Sequence, residues 1–460
     1  MAVWSIVPVS ELEYSRIDAE FYRPTYLNEL KSWQRLGETV GVATLRNIIA
    51  APVRTGRTPT SRQINGDEKC VHFVKTDTVR EGSVVFTNAA LLPARVVGVR
   101  DVIPDDAVLM TIIGATYEIV GRTAIVRPTD PVCVTNQNVA VISTVNGFDP
   151  YFLTAYFQTK WGRDQVWRHS RRTGQVNLNC REVERILVPN PTSDCQEFIG
   201  NLVRDAFGSA DRSGELFRQA QTLLEEVLGL DKLAFKKHMG YVANFSDLEI
   251  SHRSDAQHYQ PQFKQLIDHL SGFPLARVRD IRSLNRRGLQ PIYMRDGEVA
   301  VVNSQHLGPQ HIDYDGLEKT SIKEFSVAPE AHIQEDDLLI YTTGAYIGRT
   351  NVYLSEAPAM ASNHVNIVRL KPGIDAAYMA LVFQTIVGQY QTQKHSRGSA
   401  QAELYPSDID RFVVPLIAAD RQRVIGNLVR ESLMKQQESR LLLARAKARV
   451  EQLIEEGVKP

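Results

Sequence analysis

The chain has 460 residues, 43% of them hydrophobic and 23% charged, enough to bury several cores and to divide into two or more domains. Lys plus Arg and Asp plus Glu balance at 53 each, so the net charge of zero excludes a uniformly basic nucleic-acid coat and leaves any such contact to local clusters. Four cysteines without a Cys-x-x-Cys pair give neither a disulfide framework nor a zinc site, and no apolar run approaches the roughly 20 residues of a membrane span, so a soluble, cytoplasmic protein is expected.

In chain order, an opening segment Arg16-x-Asp18-Ala19-x-x-Tyr22-x-Pro24 leads into β-branched runs at 71–74, 124–126 and 139–142, which predict strands. The paired acids Asp105-Asp106 ahead of the apolar run 108–110 predict a turn into another strand. A shorter helix is predicted over 150–167, then a strand ending at Pro189, then a long helix over 194–228 rich in helix formers. The order then restarts. Arg253-x-Asp255-Ala256-x-x-Tyr259-x-Pro261 opens a second pass, with strands predicted at 299–302 and 365–370 and Asp336-Asp337 ahead of the run 338–340. A helix over 376–393, a strand ending at Pro415 and a long helix over 419–456 complete it.

The chain is thus written twice. IGNLVR at residues 199–204 returns letter for letter at 425–430, 226 residues later, and Phe157-Gln158-Thr159 returns as Phe383-Gln384-Thr385. Gly121-Arg122-Thr123 matches Gly348-Arg349-Thr350, the loop before it being three residues longer in the first unit. Such a repeat predicts an α/β (α+β) fold of two pseudo-symmetric, β-rich domains, 1–193 and 233–418, each followed by a long helix, 194–232 and 419–460. Ile199, Leu202, Phe217 and Leu224 on the first helix, and Ile425, Leu428, Leu443 and Val450 on the second, approximate heptad seams. Each seam needs a cover, either its own domain or the other seam. Two similar seams favour an antiparallel coiled coil holding the domains apart about an approximate two-fold axis. At about 1.5 Å per residue, such a helix would span about 50 Å.

No catalytic constellation is legible: there is no phosphate loop ending in Gly-Lys-Ser/Thr, no Gly-x-Ser-x-Gly, no His-Glu-x-x-His and no Asn/Asp-Pro-Pro-aromatic tetrapeptide. What remains suits phosphates and base edges. Arg168-His169-Ser170-Arg171-Arg172-Thr173-Gly174-Gln175 corresponds to Lys394-His395-Ser396-Arg397-Gly398-Ser399-Ala400-Gln401, each predicted as a basic loop between helix and strand. Arg54, Gly56, Arg57, Thr58 and Arg62 in the first unit, and Arg286, Arg287 and Gln290 in the second, lie in basic, turn-rich stretches. Ser304 and Gln305, with Asn136-Gln137-Asn138 and Asn363-His364, are weaker candidates, since such amides also satisfy neighbouring backbone.

Together these segments resemble the specificity (S) subunit of type I restriction-modification enzymes over essentially the whole chain. The resemblance is carried by the doubled Asp-Ala-x-x-Tyr-x-Pro opening, Gly-Arg-Thr-Pro-Thr at 56–60, Arg-Gly-Leu-Gln-Pro-Ile-Tyr at 287–293, Asn-Ser-Gln at 303–305 and the Gly-x-x-x-Gly-Arg-Thr turn at 344–350 that holds Tyr346 and Arg349. It implies two target-recognition domains, each reading half of a split double-stranded DNA sequence, with the basic loops facing DNA. It also implies helices that form an antiparallel coiled coil and dock two methyltransferase (M) subunits. S-adenosylmethionine, Mg and ATP would belong to those subunits and to motor-nuclease (R) subunits, none to this chain, which would be non-catalytic. The first unit has no Asn-Ser-Gln run. The neutral charge also admits a coiled-coil scaffold whose loops bind protein, and the same recognition fold could serve another phage-defence or DNA-modification system.

Overall fold

The computed structural model describes residues 4–13, 16–59, 68–236, 239–398 and 401–457. They form two compact units, one of residues 1–209 and 437–460, the other of residues 210–436. The first contains α1 (Pro24–Thr39), β1 (Val42–Thr44), β2 (Arg54–Thr55), β3 (Cys70–Val74), β4 (Ala90–Pro93), β5 (Val108–Thr111), β6 (Ile113–Gly114), β7 (Thr123–Ile125), β8 (Cys133–Thr135) and β9 (Val139–Ile142). It continues with α2 (Pro150–Gln158), α3 (Lys160–His169), β10 (Arg171–Thr173), β11 (Gln175–Asn177), α4 (Cys180–Val183), β12 (Leu187–Pro189) and the start of α5 (Ser193–Leu228). The second contains the end of α5, α6 (Phe245–Ser251), α7 (Pro261–Leu270), β13 (Leu275–Arg277), α8 (Val278–Ile281), β14 (Arg282–Arg287), β15 (Val299–Val302), β16 (Glu318–Thr320), α9 (Ile322–Val327) and β17 (His332–Ile333). There follow β18 (Leu338–Tyr341), β19 (Thr350–Val352), β20 (Ala359–Ala361), β21 (Val365–Leu370), α10 (Ala376–Gln384), α11 (Ile386–His395), α12 (Pro406–Ile409), β22 (Val413–Pro415) and the start of α13 (Ala419–Glu456).

The duplication extends to topology. One antiparallel sheet has the order β2-β9-β5-β7 in the first unit and β14-β21-β18-β19 in the second. A second sheet runs β4-β3-β8 or β16-β15-β20-β17, and in each its central pair, β3 with β8 or β15 with β20, is parallel. Where the second unit has strand β17 beside β20, the first has a single bridge, Val102 to Val134. Asp106 and Asp336, equivalent acids ahead of β5 and β18, both take left-handed φ values of 60° and 64°, the turn conformation that Asp tolerates better than most side chains.

The predicted single helix over 150–167, and its partner over 376–393, is two helices. Thr159 and Thr385 interrupt it with extended backbone, and their hydroxyls accept from the Gly162 and Val387 N–H groups to cap α3 and α11. Gly162 and Gly388 let the new helix start against the backbone of Phe157 and Phe383, where a Cβ would overlap main-chain atoms. The repeated Phe-Gln-Thr is this break.

IGNLVR has a similar explanation. Asp149 and Asp375 cap α2 and α10, accepting from the N–H groups of Tyr151 and Tyr378. Gly200 and Gly426 leave the space that a Cβ would take from those carboxylates, while Arg204 and Arg430 pair with them at 2.9 Å. Gln196 and Gln422 accept from the Asp149 and Asp375 N–H groups and donate back to Pro191 and Ile417 carbonyls. The motif locks each long helix to the capped end of a shorter one.

In the first unit's core Ile199, Leu202 and Val203 of α5 meet Ala446, Val450 and Leu453 of α13, together with Trp33, Phe152 and Val188. In the second, Phe217, Ala220 and Leu224 join Ile425 and Val429 alongside Leu266, Tyr378 and Val414. Early residues of one helix meet late residues of the other, which is the order of an antiparallel pair. Ser213 and Ser432 exchange hydroxyl-to-carbonyl bonds of 2.8 Å in the second unit. The seams are therefore covered both by each other and by their own globular elements.

Candidate nucleic-acid interface

Residues 168–171 and 394–397 are not the free basic loops expected from sequence. They are the ends of α3 and α11 with the first residues beyond, and the opening motif of each unit clamps them. Arg16 donates to the carbonyls of His169 at 2.7 Å, Arg168 at 3.2 Å and Ser170 at 3.3 Å, and Arg253 donates to those of His395 at 3.2 Å and Ser396 at 3.1 Å. A helix C-terminus leaves such carbonyls without intrahelical donors, so a guanidinium there satisfies a real demand. Asp18 and Asp255 hold the clamps in place, and the guanidinium hydrogen bonds keep both carboxyls below the usual range. Tyr22 and Tyr259 complete each clamp by donating to the Arg16 and Arg253 carbonyls.

Burial follows from this. Arg168, His169, Ser170 and His395 are all less than a tenth exposed, which withdraws them from a solvent-facing reading surface. Burial pushes both His169 and His395 down to about 3, so each imidazole is neutral at physiological pH. Lys394 is half-buried, and desolvation lowers its ammonium below the usual lysine range. Ser396 is half-buried against the Gln393 carbonyl.

Beyond each clamp the chain turns back as a hairpin. Arg171 faces Asn177 and Arg397 faces Glu403, beside Gly114 in the first unit and Thr343 in the second. Arg171 binds Glu182 at 2.6 Å and Arg397 binds Asp408 at 2.7 Å; these nearly buried acids stand at equivalent places on α4 and α12. Arg172 pairs with Glu20 and lies over the Trp167 ring. Gln175 and Gln401, at the hairpins, are exposed. In the turn beside the second hairpin, Tyr346 is exposed and the Arg349 guanidinium lies 3.6 Å over its ring. Gly121 and Gly348, both at positive φ, bring these turns onto α3 and α11: a Cβ would come 2.6 Å from Val166 or Thr392.

A second polar cluster lies at the end of β2 and β14. Gly56 and Gly288 press against strand-end carbonyls, those of Thr135 and Ala361, where a Cβ would overlap the main chain. They launch similar segments, Gly-Arg-Thr-Pro and Gly-Leu-Gln-Pro. Arg54 donates to the Val102 carbonyl, exposed Arg57 pairs with Asp101 and exposed Thr58 donates to Gln137 at 2.6 Å. Arg62 lies outside the described residues. In the second unit Arg286 and Arg287 belong to strand β14, paired with β21, rather than to the turn-rich stretch predicted. Arg286 is exposed, while Arg287 donates to the Leu404 carbonyl and lies over Tyr405. Gln290 is exposed.

The Asn-Ser-Gln segment caps the end of β15. His306 accepts the Asn303 N–H at 2.9 Å, Gln305 donates to Glu318, and Tyr293 donates to Asn303 at 3.0 Å, leaving Ser304 half-exposed beside them. The first unit has a counterpart that the sequence hid. Lys75-Thr76-Asp77-Thr78 leaves β3 at the same place, and Thr78 accepts the Lys75 N–H at 3.0 Å as His306 accepts that of Asn303. Only a shared topology exposes this match, because no letter of the two segments agrees.

On the long helices Ile199, Leu202, Phe217, Leu224, Ile425 and Val450 are buried, and Leu428 and Leu443 pack at the core edges. These seam residues are occupied within the chain, so a partner would have to reach the helices through others. Phe198 and Val424, 226 residues apart, are 41% and 55% exposed beside those seams, as are Met434 and Leu441 at 60% and 64%. Among the described residues no group of three or more His, Cys, Asp or Glu is arranged to hold a metal ion, and no helix is long and apolar enough to cross a membrane.

No protein-family model matches the sequence, and comparison with curated proteins finds no match. Among solved structures the chain is similar to the type I restriction-modification S subunit from M. genitalium, at 12% identity over 90% of this chain and 95% of that one, with a TM-score of 0.48. It is similar to the HsdS subunit from Thermoanaerobacter tengcongensis at 15% identity over 90% and 94%, with a TM-score of 0.28. A chain from a structure concerned with complex assembly and conformational transition of the type I R-M system gives 16% identity over 90% and 95%, with a TM-score of 0.31.

Proposed function

We propose that the chain is the non-catalytic DNA specificity subunit of a type I restriction-modification complex, each unit reading one half of a bipartite duplex target. The observation that carries this is a duplicated scaffold with unlike tips. The clamp, the helix break and the helix lock recur nearly atom for atom, whereas the cluster beyond Gly56 presents Arg57, Thr58 and Gln137 and that beyond Gly288 presents Gln290, Gln305 and Asn303. Framework repetition with divergent amide and guanidinium ends is what two related but different half-sites require. In this reading Arg57, Lys75, Gln175, Arg286, Gln290, Gln305 and Gln401 face DNA, and the buried Arg168, His169, Ser170 and His395 support them.

The antiparallel helix pair would act as the ruler between half-sites, and the exposed Phe198 and Val424 would seat the two methyltransferase subunits. S-adenosylmethionine, Mg and ATP belong to the methyltransferase and motor-nuclease partners in this reading. Co-expression with the neighbouring methyltransferase and genome-wide mapping of methylated adenines tests it. A split motif that disappears when this chain is deleted supports the proposal. Methylation indifferent to the deletion refutes it and leaves the coiled-coil scaffold.

A further inference from the structure

The second unit contains an open cleft of about 460 Å³ between the turn at 344–349, helix α11 and the second hairpin, lined among others by Tyr346, Arg349, Gln384, Gln389, Thr392 and Gln393. The first unit shows what fills the same place when it is closed. Its turn is three residues longer and carries Tyr117, whose ring packs edge-on against Trp167 at 5.3 Å and under the Arg163 guanidinium at 4.9 Å. The Tyr117 hydroxyl donates to Asp164 at 3.2 Å. The repeat offset puts Gln389 where Arg163 stands and Gln393 where Trp167 stands, while Tyr390, at the Asp164 position, packs instead against Phe235 and Phe263. In one copy a planar, hydrogen-bonding ring is supplied by the chain itself. In the other the shorter turn holds its tyrosine, Tyr346, under Arg349 at the edge of the cleft, and the Arg163 and Trp167 positions are carboxamides.

The lining specifies what the open cleft would take. Among the described residues the lining holds no carboxylate to repel an anion, and its cation is Arg349. The exposed Tyr346 ring offers a stacking face beside that guanidinium. Gln384 donates to the Thr350 carbonyl at 2.7 Å and so fixes one wall of the cleft, its Oε1 being buried like the amide of Gln158 at the equivalent place in the first unit. The Gln393 side chain makes no hydrogen bond among the described residues and can both give and take one. Carboxamides that donate and accept together match the amino and ring-nitrogen edge of adenine, and stacking on an aromatic ring is how bases outside a helix are held.

We propose that this cleft binds a nucleobase, stacked on Tyr346 and hydrogen-bonded by Gln393, with its phosphate at Arg349. The inference deepens the nucleic-acid reading above and rests on it; the base could belong to an extruded nucleotide of DNA or to a free nucleotide. The test titrates the full chain with adenosine monophosphate and with a single-stranded oligonucleotide carrying one 2-aminopurine, and measures duplex binding on the same samples. Gln393→Trp, which restores the first unit's filler, and Tyr346→Ala, at an exposed position, should each weaken probe binding at least about tenfold with the urea midpoint kept. Binding of the mononucleotide identifies a free ligand, and binding of the oligonucleotide alone identifies an extruded base. If Gln393→Trp does not fold, Tyr346→Ala decides. Absence of saturable binding by both probes, equal binding in wild type and folded variants, or preference for N-acetyltyrosinamide overturns the proposal. Loss of duplex binding by the wild type, with the probes still bound, would instead overturn the recognition reading and leave the cleft standing.

Discussion

Lowering the pH from 7 to 5 protonates any imidazole released by unfolding, and so acts on the two clamped histidines. His169 and His395 are held down to about 3 by burial, against an ordinary value of about 6.5. Because the folded value is the lower one, the stability they contribute is complete above about 6.5 and is lost as the pH falls toward about 3. At pH 5 the unfolded chain gains about 1.5 units of protonation advantage per histidine, about 2 kcal/mol each. The units should nevertheless respond differently. In the first, burial and the nearby Asp164 push Glu29 up to about 7, so its folded form takes up a proton first and gains stability as the pH falls from about 7 toward the ordinary carboxylate value. Its partner Lys160 is 70% exposed, so solvent screens the site and the offset is only partial. In the second unit the aligned helix α7 carries Leu266, with no such offset, and His258, also lowered by burial, lies 5.6 Å from His395 and adds to the loss. Hydrogen exchange of peptides from 376–415 and 150–189, corrected for intrinsic rates, should show the second unit opening first at pH 5. A His395→Asn variant should flatten that dependence. The reasoning fails if the variant loses as much protection between pH 7 and 5 as wild type, or if the first unit opens first.

Four further outcomes are expected. Gly426→Ala, which drives a methyl into the Asp375 carboxylate, should cost about 2–3 kcal/mol in urea unfolding, whereas Gly208→Ala, with open space around it, should stabilise by about 0.5–1 kcal/mol. Arg397→Ala leaves Asp408, 1% exposed, without its cation and should cost about 2–4 kcal/mol, seen as a lower denaturant midpoint. Arg286→Ala should leave stability within about 0.5 kcal/mol while lowering the slope of log affinity for duplex DNA against log salt by about one. One matched extra turn in each long helix, inserted between 209 and 210 and between 436 and 437, should lengthen the non-specific spacer of the methylated motif; an unchanged spacer would refute the ruler.

The long helices, the strands at 139–142, 299–302 and 365–370 and the duplication were legible because each rests on local pattern: helix formers, β-branched runs and a constant offset. The helix break at Thr159 and Thr385 was not, since a cap inside a continuous apolar stretch is set by how the next turn packs on Phe157 and Phe383. The candidate site was legible as segments but not as surfaces. Residues 168–175 have the composition of a solvated basic loop, and nothing local reveals that Arg16, some 150 residues earlier, satisfies the carbonyls at their helix end. The counterpart of Asn-Ser-Gln, Lys75-Thr76-Asp77, kept its backbone role and lost every letter.

By itself the sequence determined that one unit is built twice, which residues form the two long helices, and where polar segments repeat, because periodicity and identity at a fixed offset survive without coordinates. Tertiary structure decided which of those polar residues are free. A guanidinium that finds a buried carboxylate or an orphan helix carbonyl is committed to the fold, as Arg16, Arg171, Arg253 and Arg397 are, and one such as Arg286, left exposed on a strand, remains available to a partner. That sorting depends on contacts between residues far apart in the chain, and so on the folded arrangement rather than on any segment's composition.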